Sequence, residues 1–341
     1  MSASDPQQAT VAQLPLGGLA LTNGGWLPDA QLTYATWGRL NSTADNVVLL
    51  PTYYTGTHRS YLPWIGPGKA LDPQRWFIVS PNLFGNGLSS SPSHAASPQA
   101  RAAWPLTSVT DNLVAQQQLL AHLGVGRVKL AMGWSMGGLQ SLHWAAHDPQ
   151  RIEAVLAICA TAQCWPLNRA FLAGVRAALT ADPVWQGGAY ADDAPPREGL
   201  KAFGRVYCPW AYSAEFFRDG LYRQLGCDTQ EQFLQAWEAE HLAWDACDLL
   251  AMLHTWESAD LTQRGAMSLA QALAGVRARV HYMPCDRDAY FTAHEAALEA
   301  ACLPDAAVSC LASPYGHCAG APGRFAAETA QIEAAVRAFL R

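Results

Sequence analysis

Gly133-Trp134-Ser135-Met136-Gly137-Gly138 lies between an apolar run, Val128 to Met132, and a helix-patterned stretch, Leu139 to Ala146. A serine used as a nucleophile needs a sharp strand-to-helix turn that lifts its hydroxyl clear of a sheet, with glycine at the flanking positions where a Cβ would clash. The same turn aims backbone N–H groups at the helix N-terminus toward a developing oxyanion. The pattern therefore predicts acyl transfer through Ser135, against the plainer reading of a glycine-rich turn with a capping serine. Such a serine expects an acid and then a histidine, in that chain order, each on a loop after a later strand. Val280-His281-Tyr282-Met283 reads as a short buried strand followed by Pro284-Cys285-Asp286-Arg287-Asp288, which places two carboxylates past its end. Ala307 to Leu311 reads as another strand, followed by the turn-rich loop Ser313-Pro314-Tyr315-Gly316-His317. Of the chain's 10 histidines, His317 stands out because it follows the last strand and precedes a closing helix, Ala326 to Leu340.

Several ordered segments extend this reading: Tyr34 to Asn41, Asp111 to Gln116, the elbow through Gln140 and Trp144, Asp288-Ala289-Tyr290-Phe291, and Tyr315-Gly316-His317. Together they resemble the homoserine O-acetyltransferase-like branch of the α/β-hydrolase fold, over most of the chain. The resemblance implies Ser135 as nucleophile, Asp288 as acid and His317 as base. Asp288 is preferred to Asp286 because the family's acid is followed by one variable residue and then a bulky apolar and aromatic pair, as Ala289-Tyr290-Phe291 provides. Asp286 is the alternative. In this fold one oxyanion donor is the amide after the nucleophile, here Met136, and the other lies after an early strand. That strand is expected at Asn46 to Leu50, and the resemblance of the loop Pro51 to Gly56 makes the Tyr54 amide the second donor. The tyrosine side chains are free to act as packing.

Two departures from the family bear on substrate. Acetyltransferases that resemble this chain carry an Asp after the catalytic His to hold the homoserine amine, whereas Cys318 stands here. The family's carboxylate-binding Arg in the lid segment aligns with Tyr212, in Trp210 to Glu215, with Arg218 and Arg223 as alternatives. Loss of a bidentate carboxylate clamp changes what a site accepts. Both substitutions favour a hydrolase of a small ester or amide over homoserine acetylation; an acyl-CoA-dependent O-acyltransferase is the alternative, and a non-catalytic ligand-binding relative the remote one.

The stretch from 165 to 266 contains Trp165, Trp185, Trp210, Trp237, Trp244 and Trp256, out of 13 tryptophans, with helical patterns at Glu231 to Trp244 and Asp248 to Trp256. It is expected to be a helical cap whose aromatic residues chiefly form its own core. Those over the serine would suit an apolar or aromatic acyl group. The glycine-rich loop Asn82 to Pro92 lacks a Gly-Lys-Ser/Thr ending and reads as a pocket wall rather than a phosphate loop.

With 341 residues and 50% hydrophobic content, the chain is long enough for one large core and an inserted cap. A net charge of −6 without basic clusters argues against nucleic acid or anionic membrane as partners. Nine cysteines with no Cys-x-x-Cys pair fit reduced thiols, and Cys285 and Cys318 flank the expected acid and base. Met1 to Gln8 has neither a basic start nor an apolar core, and no run approaches a membrane span, so a cytoplasmic location is expected. The Ser-rich patch Ser89 to Ser97 and the patch Gly187 to Gly199 read as loops.

The expected architecture is α/β: an N-terminal β region from Leu14 to Val48, then a mostly parallel sheet flanked by helices, formed by 1–164 and 267–341, with 165–266 as the cap. The expected partners are a small-molecule acyl substrate, acetyl-CoA if the chain is a transferase, and a second copy in a homodimer. No metal or cofactor is called for.

Overall fold

The computed structural model describes residues 8–96, 100–263 and 265–341; Met1 to Gln7 and Ser97, which the N-terminal and Ser-rich expectations touch, lie outside them. An eight-stranded sheet runs in the order β1-β2-β4-β3-β5-β6-β7-β8. Its strands are β1 (Thr10–Ala20), β2 (Trp26–Trp37), β3 (Val47–Leu49), β4 (Phe77–Pro81), β5 (Leu130–Trp134), β6 (Ala154–Ile158), β7 (Arg279–Met283) and β8 (Ala306–Val308). The β1–β2 and β2–β4 pairings are antiparallel, and those from β4 through β8 are parallel.

Alternation along the central strands divides the interior. Val47 and Leu49, Ala131, and Val155 and Ala157 enter one apolar cluster. Their neighbours Val48, Leu130 and Met132, and Leu156 and Ile158 enter another. This is the period-two pattern of a sheet buried on both faces. Helices α1 (Val109–His122) and α2 (Met136–His147) supply the first cluster, and α10 (Ala326–Phe339) supplies Ile332 and Val336 to the second. Ser108 starts α1 through a reciprocal cap with Asp111, satisfying amides that open any helix.

Between β6 and β7 lie α3 (Pro166–Thr180), α4 (Arg197–Ala211), α5 (Ala214–Arg218), α6 (Gln230–His241), α7 (Ala246–Glu257) and α8 (Leu269–Ala274); α9 (Ala293–Ala300) joins β7 to β8. Two strand boundaries differ from expectation. The strand before the elbow begins at Leu130, because Val128 makes only an isolated bridge to Ile152, and it continues through Trp134 by pairing with Ile158. The last strand stops at Val308; beyond it Leu311 meets Cys285 as a single bridge. Among the described residues, no helix is long and apolar enough to cross a membrane.

Candidate active site

Ser135 sits at the junction of β5 and α2 with φ 56° and ψ −130°, a backbone state rare for a residue with a side chain. Its hydroxyl makes no capping hydrogen bond, unlike a serine that merely starts a helix. Close backbone packing makes this turn possible: a Cβ on Gly133 would lie 2.5 Å from the Gly137 carbonyl carbon, and one on Gly137 would lie 2.5 Å from the Pro51 oxygen.

The loop after β7 brings Asp288 to His317, whose Nδ1 lies 2.6 Å from the carboxylate Oδ2. The Asp288 side chain is fully buried and that of His317 is 4% exposed. Asp288 Oδ1 accepts the amides of Tyr290 at 3.1 Å and Phe291 at 3.0 Å, so both carboxylate oxygens are occupied. Phe291 is itself held between Trp256, at 5.1 Å, and the His317 ring, at 5.4 Å. Those contacts give a physical reason for the bulky pair after the acid. Asp286 takes another course: it pairs with Arg287 at 2.5 Å and accepts the Ser313 amide at 3.2 Å.

The loop Pro51 to Gly56 is tied to the elbow helix from below. Gln140 Nε2 donates to the Thr52 carbonyl at 2.7 Å, Gln116 Nε2 to Gln140 Oε1 at 2.7 Å, and Trp144 Nε1 to Gln116 Oε1 at 2.7 Å. The residues that make the elbow segment distinctive in sequence thus form one buried network. The Asn82 to Pro92 loop braces the same segment through Asn86 Nδ2, which donates to the Gly56 carbonyl at 3.3 Å. Met136 opens α2, where the first N–H groups of a helix have no intrahelical acceptor. No protein acceptor meets the Tyr54 amide among the described residues. The Tyr54 ring packs, stacked on Tyr207 at 5.9 Å, with its hydroxyl donating to the Leu249 carbonyl at 3.4 Å.

Ser135, His317, Tyr54 and Cys318 line a cavity of about 470 Å³. A larger cavity, about 1090 Å³ beside His254 and Arg169, is not lined by Ser135 or His317, so size alone does not mark the chemistry. Tyr212, expected against substrate, is 1% exposed and stacked on Phe216 at 4.1 Å; it does not line the serine cavity. Arg218 pairs with Asp219 at the surface. The charged residues on the cavity wall are instead Arg324 and Glu240, which no motif announced. Burial pushes the Cys318 thiol up to about 11 and the Tyr53 phenol up to about 12, so both are neutral at ordinary pH.

Cys159 places its sulfur with the Asp288 and His317 donor atoms, all within 4.8 Å of one another. Burial, reinforced by the Asp288 charge, drives its thiol pKa well up, and the acid and imidazole are bonded to each other. Cys159 is thus a protonated packing neighbour of the Asp288–His317 pair.

The chain is similar to known proteins along most of its length. Residues 45–202 match the family model for the alpha/beta hydrolase fold. The chain is 32% identical over 305 residues to an ethyl acetate hydrolase of Pseudomonas veronii, covering 89% of this chain and 87% of that protein. It is 31% identical over 315 residues to a homoserine O-acetyltransferase of Trichormus variabilis, covering 87% and 86%. The structure of the acetyl esterase MekB superposes with a TM-score of 0.94 at 30% identity, covering 97% of this chain and 96% of that one. This chain belongs to the homoserine O-acetyltransferase-like branch of the α/β-hydrolase fold family, a group of serine-dependent esterases and O-acyltransferases.

Proposed function

We propose that the chain hydrolyses a small ester through an acyl-enzyme on Ser135, with His317 as general base, Asp288 as the acid that orients it, and the Tyr54 and Met136 amides as oxyanion donors. The observation that carries this reading is the buried 2.6 Å contact of His317 Nδ1 with Asp288 Oδ2, on the same cavity as a serine in a positive-φ turn. With Nδ1–H committed to the carboxylate, Nε2 is the free base. It takes the Ser135 Oγ proton as Oγ bonds to the carbonyl carbon, and the carbonyl electrons move onto oxygen, where the two amides stabilise the charge. Collapse breaks the ester C–O bond, and the imidazolium returns its proton to the departing alcohol. Water then gives a proton to His317 and its oxygen to the acyl carbon, releasing the acid and restoring Ser135.

Hydrolysis is favoured over homoserine acetylation because a neutral thiol, Cys318, follows the base, and Tyr212 is packed away from the cavity. The ethyl acetate hydrolase and acetyl esterase relatives point to a short acyl group. O-acyl transfer from acetyl-CoA is the second reading, favoured by the acetyltransferase relative. The deciding experiment supplies p-nitrophenyl acetate, or acetyl-CoA with homoserine, to the protein and to Ser135→Ala. Ester cleavage that needs Ser135 and releases no CoA supports hydrolysis. CoA release that requires homoserine overturns it.

A further inference from the structure

We propose that Arg324 anchors a carboxylate carried by the ester substrate, so that the cavity selects monoanionic esters over neutral ones of the same size. The inference rests on the hydrolase reading above and names the substrate class for that site.

Arg324 lines the cavity with Ser135 and His317 and is exposed to it. Among the described residues no acidic oxygen lies within 4.0 Å of its guanidinium, the distance that defines an ion pair. Arg205 and Arg287, by contrast, are each held between two carboxylates: Arg205 between Glu231 and Glu238, and Arg287 between Asp286 and Glu215. The Arg324 guanidinium carbon lies over the Tyr212 ring, 5.7 Å from its centroid. A guanidinium lying over an aromatic face keeps its in-plane N–H fork available to a carboxylate.

Its position is fixed. Arg324 N donates to the Ala321 carbonyl at 3.2 Å, closing a turn with Pro322 and then Gly323 at φ +67°, the proline and glycine placement of a type II turn. A Cβ on Gly323 would lie 2.3 Å from Pro63 Cβ, so the turn, on the loop that carries His317, is packed closely against the segment His58–Trp64. The backbone that carries the cation therefore holds a set relation to the His317 loop.

The charge balance of the cavity identifies the ligand. The titratable groups facing Arg324 are Cys318, Tyr212, Glu240 and Tyr53. Burial keeps the thiol and both phenols protonated, which leaves Glu240, from α6, as the opposing charge. Burial also lowers the pKa of the lining His241, so its ring is neutral. Glu240 does not close an ion pair with Arg324. A substrate carboxylate fits the guanidinium and is repelled by Glu240, so the two residues set opposite signs of preference.

The test measures kcat/KM on the full chain, by titrating released acid, for two matched pairs: 4-acetoxybutanoate with pentyl acetate, and monoethyl succinate with ethyl pentanoate. The pairs place the carboxylate on the alcohol or on the acyl side. The expected result is that the wild type prefers the anionic member of at least one pair. The anionic-to-neutral ratio should fall roughly 10–100-fold in Arg324→Gln, recover in part in Arg324→Lys, and rise in Glu240→Gln. Because each ratio is taken on one protein sample, partial misfolding cancels. A wild type indifferent to the carboxylate in both pairs, or a ratio unmoved by Arg324→Gln, overturns the anchor while leaving ester hydrolysis intact. Failure of the wild type to cleave any of the four esters beyond the Ser135→Ala background overturns the hydrolase reading itself.

Discussion

Trp134 Nε1 donates to the backbone carbonyl of His317 at 3.0 Å, and the two rings lie 5.0 Å apart. The residue before the candidate nucleophile thus holds the main chain of the candidate base, linking the elbow to a loop far along the sequence. Tyr53 packs edge-on against Trp134 at 4.6 Å, so the indole joins the elbow to the His317 loop and to the loop Pro51 to Gly56. Trp134→Phe retains most of the packing and removes the donor. A buried hydrogen bond of this kind contributes about 1 kcal/mol, so kcat on p-nitrophenyl acetate should fall roughly fivefold with KM nearly constant. An unchanged kcat would show that the indole only packs.

The two neighbouring aspartates should separate sharply. Asp288→Asn keeps the shape but offers an amide where His317 Nδ1–H needs an acceptor, which favours the wrong tautomer. We expect kcat to fall by about 10³–10⁴, the scale set by such changes in serine triads. Asp286→Asn disturbs a contact with Arg287 at the surface and should change kcat less than about threefold. Equal losses in the two variants would defeat the assignment of the acid.

This contrast also indicates what a sequence can carry. Ser135, Asp288 and His317 can be proposed from sequence because each lies in a short ordered motif just past a strand; the structure pairs Asp288 with His317 and sets Ser135 and His317 on one cavity. Arg324 and Glu240 cannot be proposed this way, since the turn after His317 and helix α6 come together only through tertiary folding, and neither lies in a pattern with chemical meaning. Tyr212 was misplaced for a related reason. Position in an alignment says where the chain runs, whereas the side chain's direction was decided by packing against Phe216 and Phe233. The tryptophan-rich composition of 165–266 likewise announced aromatic helices but not their facing: Trp237 lines the cavity, while Trp256 is buried against Phe291.

Backbone strain at the elbow should be measurable as stability. A non-glycine residue at φ 56°, ψ −130° costs on the order of 1–3 kcal/mol. Ser135→Gly relieves that cost and Ser135→Ala does not. The glycine variant should melt roughly 2–4 °C above the alanine variant, both being inactive. A lower Tm for the glycine variant would mean that unfolded-chain entropy outweighs the strain.

Glu299 offers a test of how the segment after β6 is fixed to the core. From α9 its carboxylate accepts Ala162 N at 2.6 Å, Gln163 N at 3.2 Å, Trp165 Nε1 at 2.9 Å and Tyr282 Oη at 3.0 Å. Burial outweighs these donors and pushes its pKa from 4.5 up to about 7. A carboxyl group whose folded pKa is raised binds its proton more tightly in the native state than in the unfolded chain. The stability linked to that proton is fully present below about pH 4.5 and is lost as pH rises through about 7. The full loss is at most about 3 kcal/mol. Glu299→Gln cannot ionise, so this component should disappear: the wild-type Tm should decline between pH 5 and 8 more steeply than that of the variant. Parallel Tm profiles across that window would show that Glu299 remains charged throughout, with its four donors fully offsetting burial.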